Sequence, residues 1–144
     1  MAAPDKLVIV TRKTALDELV DRFNTRDQAR FYIEHMGGRF DDYQAAHDAY
    51  HHALTFVRKF IPHGIRTQWI DRSFLPTFTF GESDVVFILG QDGLVVNAAK
   101  YLNGQLVVAL NPDPARIDGV LLPFEFASAA DVIAVAFATA GRKV

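Results

Sequence analysis

The stretch from Val85 to Leu89 constrains the fold of this chain more than any other. It consists of five consecutive apolar residues with no polar residue among them. A strand with one face in solvent alternates polar and apolar residues, whereas an unbroken apolar run of this length is typical of a strand buried on both faces. Strands of that kind lie in the centre of parallel sheets. We therefore expect a central parallel strand at residues 85–89.

Three other runs have the length of a strand. Residues 6–11 and 106–110 are largely apolar and are predicted to be buried strands, whereas residues 65–71 alternate and are predicted to lie nearer an edge of the sheet. The aromatic residues 74–80 include Pro76, which lacks the N–H donor that a central strand needs. We expect a loop or an edge segment there.

Helical periodicity fills the intervals between these runs. Thr14 and Asp17 have the spacing of a capping box at the start of a helix. Apolar residues that recur every three or four positions predict helices within residues 14–23, 29–36, 41–61, 94–102 and 128–140. Strands that alternate with helices predict a single α/β domain over residues 1–144, with an open, mostly parallel sheet flanked by helices in a Rossmann-like three-layer arrangement.

The composition argues against several classes of function. The 144 residues carry a formal net charge of -2, so no basic field favours nucleic acid or an anionic membrane. No apolar run approaches the roughly 20 residues that cross a bilayer, and residues 1–5 lack the basic start of a signal peptide. Because the chain has no cysteine, disulfides, thiolate metal sites and a cysteine nucleophile are excluded. We expect a cytoplasmic protein with neither a nucleic-acid nor a membrane partner.

The turn Gly90–Gly93 follows the predicted central strand and is the first candidate site. Ligands of open α/β sheets bind at the carboxyl ends of the strands, where this turn places Asp92. A helix N-terminus attracts anions, but a carboxylate there repels phosphate unless a hydroxyl, a proton or a metal lies between them. The turn therefore points to phosphate chemistry with an acceptor hydroxyl. The alternative is that Asp92 only caps the following helix.

A second polar loop follows the next predicted strand, from Asn111 to Gly119. Consecutive parallel strands place the loops at their carboxyl ends side by side, so Asp92, Asn111 and Asp113 are expected to converge on one cleft. The alternative for Asn111 and Asp113 is ordinary turn chemistry, in which their side chains bond to the local backbone.

The histidines suggest a metal site but do not complete one. His47 and His51 are one helical turn apart, with His52 and Asp48 beside them. No third ligand stands at a recognisable spacing, so a solvated or partly packed histidine face is the favoured interpretation and no metal site is predicted. Phosphate-binding P-loop, G-x-G-x-x-G and G-x-S-x-G motifs are absent as well.

The two loops together resemble the N-terminal domain of the NAD kinase family. That family has a strand ending in G-G-D-G-T and a following strand ending in an N-x-G-x-x-G-F-L-like loop. Here the corresponding segments are Gly90-Gln91-Asp92-Gly93, then Asn111, then Gly119-Val120-Leu121. Gln91 and Leu94 depart from the family pattern, and the second loop is longer and rich in proline. Diacylglycerol and sphingosine-type lipid kinases and phosphofructokinases share the first turn.

The resemblance implies transfer of a phosphoryl group from ATP or polyphosphate to the 2′-hydroxyl of NAD, with magnesium carried by the nucleotide. Asp92 is then the catalytic residue that faces the acceptor hydroxyl. The residues expected to hold the nucleotides are Gly90, Gln91 and Gly93 in the turn and Asn111 and Asp113 in the second loop.

The resemblance also implies a partner domain, because NAD kinases add a β-rich C-terminal domain to this one. We expect the chain to be the N-terminal half of a longer kinase and to be inactive alone. One alternative is a non-catalytic nucleotide-binding or regulatory module, and another is a relative of the diacylglycerol-type lipid kinases. The aromatic residues at positions 74–80 need cover, which either a homo-oligomer interface or the core of the domain itself provides.

Overall fold

The protein, described here over residues 6–141 of a computed structural model with side chains up to residue 137, contains one sheet of five strands. The strands are β1 (Leu7–Thr11), β2 (Thr67–Asp71), β3 (Val85–Leu89), β4 (Leu106–Asn111) and β5 (Phe124–Glu125). Their spatial order is β2-β1-β3-β4-β5, and every neighbouring pair is parallel. The predicted open parallel sheet is confirmed, including the position of residues 67–71 at its edge.

Helices cover both faces of the sheet. They are α1 (Ala15–Phe23), α2 (Arg26–His35), α3 (Phe40–Phe60), α4 (Asp92–Ala99) and α5 (Ala129–Gly141), with 3-10 helices at Arg72–Thr77 and Phe126–Ser128. One core layer joins the sheet to α3 and α5, and the other joins it to α4 and the first 3-10 helix. The predicted three-layer α/β fold is therefore confirmed. No helix in the described part of the chain is long and apolar enough to cross a bilayer.

The central strand β3 contributes to both core layers. Val85, Phe87 and Leu89 pack against the α3 and α5 face, whereas Val86 and Ile88 pack against the α4 face. All five side chains are fully buried, and burying an apolar side chain of this size stabilises the fold by about 1.5–3 kcal/mol. The unbroken apolar run is therefore explained by burial on two faces.

The ends of the helices follow local signals. Thr14 and Asp17 form the predicted capping box, with each side chain bonded to the backbone of the other residue. Asn24 ends α1 with a φ of 72°, and Gly37 follows α2 with a φ of 84°. Both are left-handed conformations, which Gly and Asn adopt most readily.

Three local features differ from the sequence prediction or refine it. Helix α4 begins at Asp92, two residues before the predicted start, because its first turn takes in Gly93. The strand β5 was not predicted, since two residues directly after Pro123 are too short for a recognisable pattern. Residues 72–77 form a 3-10 helix that contains Pro76, in the segment for which a loop or an edge segment was expected. The prediction that residues 1–5 are no signal peptide lies outside the described residues.

Candidate functional site

A crevice opens at the carboxyl edge of the sheet, between β1 and β3. The connection from β1 to β2 runs through α1 and α2 and packs α3 on one face of the sheet, whereas the connection from β3 to β4 packs α4 on the other face. The loops after these two strands therefore separate, and open α/β sheets bind their ligands at such a point. The sheet topology alone thus marks the space between Arg12 and Gln91 as the first place to look for a ligand site.

The crevice consists of two hollows that share Arg12 and Gln91, with volumes of about 200 Å³ and about 400 Å³. The smaller hollow is also lined by Lys13, Thr14, Tyr50, Asp113 and Arg116. The larger hollow is also lined by Arg72, Gly93, Leu94, Asn97 and Lys100. Ligand pockets in proteins commonly measure about 300–1,000 Å³, so an extended ligand that runs through both hollows fits that range.

Arg12 lies at the junction of the two hollows. Its Nε atom is buried and has no hydrogen-bond partner among the described residues. Gly90 lies beside it: a Cβ there would be at an ordinary contact distance of 3.5 Å from Arg12 Cδ but would clash with Leu94 Cδ2 at 2.5 Å. A buried guanidinium nitrogen without an acceptor is costly, so this position suits an acceptor group in the crevice.

The other cations around the crevice differ in their pairing. Lys13 pairs with Asp21. Arg116 lies 3.2 Å from Asp113, and Arg72 lies 3.5 Å from Glu18. Within the described residues only Arg12 and Lys100 of this group have no ion pair. The local charge of the crevice is therefore positive where these two side chains face it, although the chain as a whole carries a formal net charge of -2.

Tyr50 forms part of the floor of the smaller hollow. Its hydroxyl donates to the Leu89 carbonyl at 2.6 Å and accepts from the Arg12 backbone N–H at 3.0 Å. Burial raises the pKa of Tyr50, so the hydroxyl stays protonated and keeps its donor role. Tyr50 thus fastens α3 to the ends of β1 and β3 and holds the backbone on both sides of the crevice.

The Gly90–Gly93 turn provides one wall of the crevice. Gln91 lines both hollows and is the N-cap residue of α4, without a side-chain capping bond. Gly93 lines the larger hollow, and a Cβ at this position would meet nothing within 4 Å. The N-terminal N–H groups of a helix lack intrahelical partners and carry partial positive charge. The turn therefore adds backbone donors to the cationic side chains.

Asp92 has a different position from its neighbours in the turn. It lies in the first turn of α4 and is not the N-cap, so the alternative in which it caps the helix is wrong. Its Oδ1 atom accepts a hydrogen bond from the Leu121 N–H at 3.0 Å. The carboxylate therefore connects the β3 turn to the loop after β4, and it lines neither hollow.

Asn111 is used within its own loop. Its side-chain amide donates to the Ile117 carbonyl at 2.8 Å and accepts from the Asp113 N–H at 2.9 Å. The loop closes tightly here, since a Cβ on Gly119 would lie 2.7 Å from the Asn111 amide nitrogen. The turn-chemistry alternative therefore accounts for Asn111, whereas Asp113 reaches the smaller hollow together with Arg116.

The histidine face contains a carboxylate that the sequence spacing did not indicate. Asp17, from α1, lies 3.5 Å from His47 Nδ1 and 3.2 Å from His51 Nε2. Asp48, the acidic neighbour in sequence, instead accepts a hydrogen bond from the Gln44 side chain. His52 packs edge-on against Phe126, away from this group. Two imidazoles and one carboxylate thus share a partly exposed position beside the start of α1.

Comparison with known proteins assigns neither a family nor a function to this site. No model of a protein family matches the chain, and no curated protein matches it. The resemblance to NAD kinases therefore rests on the motifs within residues 85–121, and the function has to be argued from the crevice and the residues around it.

Proposed function

We propose that the chain binds a nucleotide between β1 and β3, as the nucleotide-binding and catalytic-carboxylate domain of an NAD kinase-like phosphotransferase. The observation that carries this proposal is the position of Arg12. Its guanidinium Nε has no partner in the part of the chain that the structure describes, and it is buried where two hollows meet, beside a glycine turn at the start of a helix. A phosphate group is the ligand that these donors suit best, because it accepts from guanidinium and backbone N–H groups together.

The donors around the crevice fit a phosphorylated ligand along its length. Phosphate oxygens accept from Arg12 and from the first N–H groups of α4, while the Gln91 amide reaches both hollows. Lys100, without an ion pair among the described residues, adds charge at the far side of the larger hollow. Magnesium arrives with the nucleotide in this proposal and offsets the repulsion between phosphate and the Asp113 carboxylate, an oxygen ligand of the kind magnesium prefers.

In this proposal Asp92 is the catalytic base that accepts the proton of the acceptor hydroxyl, and a hydrogen bond holds its carboxylate in one orientation. The Leu121 N–H holds Oδ1, and the second carboxylate oxygen accepts the proton of the acceptor hydroxyl. The hydroxyl oxygen then forms a bond to the γ-phosphorus as the bond from that phosphorus to its bridging oxygen breaks, and the proton passes to the carboxylate. Such transfers depend mainly on positioning and charge stabilisation, so a carboxylate that is held in place suffices.

A second candidate function is a nucleotide-binding module without catalysis. It is favoured by the position of Asp92, whose Oδ1 already serves a structural bond and whose carboxylate lines neither hollow. Both candidates use the same crevice, so they predict the same ligand contacts at Arg12. They differ in what Asp92 does for a bound acceptor.

Calorimetric titration of Mg·ATP and of NAD into the chain tests the crevice. Arg12→Gln is expected to weaken binding at least about tenfold, because charge-assisted bonds to phosphate are lost. Arg66→Gln is the matched control, since it removes the same charge just before β2, at the opposite edge of the sheet. Equal losses in both variants, or no binding of either nucleotide to the wild-type chain, would contradict the proposal.

Formation of NADP separates the two candidates. It is measured for this chain and for the product of its complete open reading frame, each with Asp92 and with Asp92→Asn. In an NAD kinase-like enzyme the substitution lowers turnover and leaves the affinity for Mg·ATP within about twofold, since Asp92 lines neither hollow. A module binds the nucleotide and forms no NADP in any variant. NADP formation by the 144-residue chain alone would contradict the expectation that it needs a second domain.

A further inference from the structure

The cluster of Asp17, His47 and His51 lies outside the proposed nucleotide site and has a chemistry of its own. His47 and His51 are one turn apart on α3, and Asp17 approaches them from the first turn of α1. One ligand atom from each residue lies within 4.8 Å of the others. We propose that these three side chains form a binding site for a divalent transition-metal ion of the zinc class.

The distances fit the size of such a site. Zinc binds imidazole nitrogen and carboxylate oxygen at about 2.0–2.2 Å, so two ligand atoms in a tetrahedral site lie about 3.3–3.5 Å apart. His47 Nδ1 lies 3.5 Å from Asp17 Oδ1, and His51 Nε2 lies 3.2 Å from Asp17 Oδ2. The two imidazoles are already adjacent, with ring centroids 4.2 Å apart. These two distances end on different carboxylate oxygens and the three ligand atoms lie within 4.8 Å of one another, so the side chains draw closer together when one ion binds all three.

The ligand types also fit a metal ion. Two imidazoles and one carboxylate form a set found at zinc sites that keep a fourth position for water or a ligand. Burial acts to raise the pKa of Asp17, but hydrogen bonds from the Thr14 backbone N–H and from His51 outweigh it and lower the pKa. The carboxylate is therefore ionised and carries the charge that a divalent cation needs.

The cluster is both held in place and open to solvent. The capping box fixes Asp17 at the start of α1, and the Thr14 hydroxyl lies 2.8 Å from His47 Nδ1. An ion at Nδ1 replaces that contact, while the bond from the Asp17 N–H to the Thr14 hydroxyl remains. The His51 side chain is 48% exposed and Asp17 31%, so an ion enters from solvent and the fourth position faces outward.

The site differs from a salt-bridged helix cap in a way that can be measured. A cap and its histidine pairs stabilise the fold to the same degree whether or not a metal is present. A metal site gains stability with metal concentration, because the ion binds the folded state and not the unfolded chain. Neither result depends on whether the crevice between β1 and β3 binds a nucleotide.

The experiment titrates Zn²⁺ and Co²⁺ into the full chain prepared without a polyhistidine tag, by calorimetry and by visible absorption of Co²⁺. The expected result is one ion per chain, with the intense visible bands of tetrahedral Co²⁺. His51→Gln and Asp17→Asn are expected to weaken binding at least about tenfold, since the loss of even a partner that only orients a metal ligand commonly costs about 10- to 100-fold. His52→Gln is the matched control, since it removes the next imidazole on the same helix and outside the cluster.

Asp17→Asn could weaken metal binding by disturbing the capping box of α1. Thermal unfolding with and without Zn²⁺ therefore provides a second test, which does not depend on that variant. The ion is expected to raise the Tm of the wild-type chain and of His52→Gln and to leave that of His51→Gln unchanged. His51 has no part in the capping box, so this variant retains the structure of α1. The proposal is overturned if neither ion binds saturably, or if His52→Gln loses as much affinity as His51→Gln.

Discussion

Two polar regions at the carboxyl edge of the sheet use their side chains differently. In the loop after β4, Asn111 bonds to the backbone at both ends of its amide, and Asp113 pairs with Arg116. In the crevice between β1 and β3, Arg12 has a buried Nε atom without a partner among the described residues. The first region satisfies its polar groups internally, whereas the second leaves a donor for a ligand. Position at the carboxyl edge therefore does not by itself identify a binding residue.

The difference follows from the backbone of each region. The loop after β4 contains Pro112 and Pro114, which have no N–H to donate. Its carbonyl groups must find other donors, and the Asn111 amide supplies one of them. The turn after β3 has no proline and leads directly into α4, where the Gln91 carbonyl accepts from the N–H groups of Leu94 and Val95. Asp92 still bonds to the Leu121 N–H, but the side chains of Arg12 and Gln91 form no bond to the backbone of this turn.

Removing the Asn111 amide is expected to have the largest effect on stability. Asn111→Ala leaves the Ile117 carbonyl and the Asp113 N–H unpaired, and each buried orphan group costs about 1–3 kcal/mol. We expect the free energy of unfolding in urea to fall by about 2–4 kcal/mol. Asn103→Ala, in the exposed turn before β4, is the control and should cost less than about 0.5 kcal/mol. Similar losses in both variants would contradict this structural role and would leave the Asn111 amide available to contact a ligand.

Two glycines, one from each region, should respond in opposite directions. Gly119 has a φ of 65°, and an added Cβ would lie 2.7 Å from the Asn111 amide nitrogen, so Gly119→Ala is expected to cost about 1–3 kcal/mol. Gly93 is helical with open space around it, so Gly93→Ala is expected to stabilise the chain by up to about 1 kcal/mol. Urea unfolding of both variants measures the contrast. A stabilising Gly119→Ala would show that the loop after β4 is not tightly closed.

Tyr50 connects the two sides of the crevice, and its loss should have an intermediate effect. Tyr50→Phe removes bonds to the Leu89 carbonyl and the Arg12 N–H, so the expected cost near neutral pH is about 1–2 kcal/mol. Because burial raises the pKa of Tyr50, its contribution is complete below the ordinary tyrosine value of about 10 and is lost as the pH rises above it.

Unfolding measured from pH 8 to 11 checks the sign of this dependence. The wild-type chain should lose stability above about pH 10, where the unfolded tyrosine ionises first. The difference between wild type and Tyr50→Phe should shrink over the same range. Tyr43→Phe, at a partly buried position near the start of the same helix, serves as the control. A difference that stays constant with pH would contradict the assigned role of the buried hydroxyl.

The sequence predicted the fold better than it predicted the site. Apolar runs and helical spacing are local signals, and they located β1, β3, β4 and the helices within a few residues. The site depends on contacts between distant parts of the chain. Tyr50 bonds to a backbone group 38 positions away, and His51 meets Asp17 at a separation of 34. No spacing rule brings such residues together before the topology is known.

Arg12 shows which part of the site was within reach of the sequence. It directly follows a predicted buried strand, and the rule that ligands bind at the carboxyl ends of strands applies there as well as at Asp92. Its importance became visible only with the order β2-β1-β3, which places the ends of β1 and β3 side by side. Asn111 ends the next strand and uses its amide within its own loop, although Asp113 of that loop reaches the smaller hollow.

The smallest effect on stability is expected at Arg12, and it completes the comparison. Arg12→Gln removes a cation whose buried Nε has no partner among the described residues, so the free energy of unfolding should change by less than about 0.5 kcal/mol or rise. Asn111→Ala should show the reverse, a large loss of stability. Urea unfolding without ligand measures both variants under the same conditions. If Arg12→Gln is as destabilising as Asn111→Ala, its guanidinium serves the fold, and the two regions do not differ in the way the crevice proposal requires.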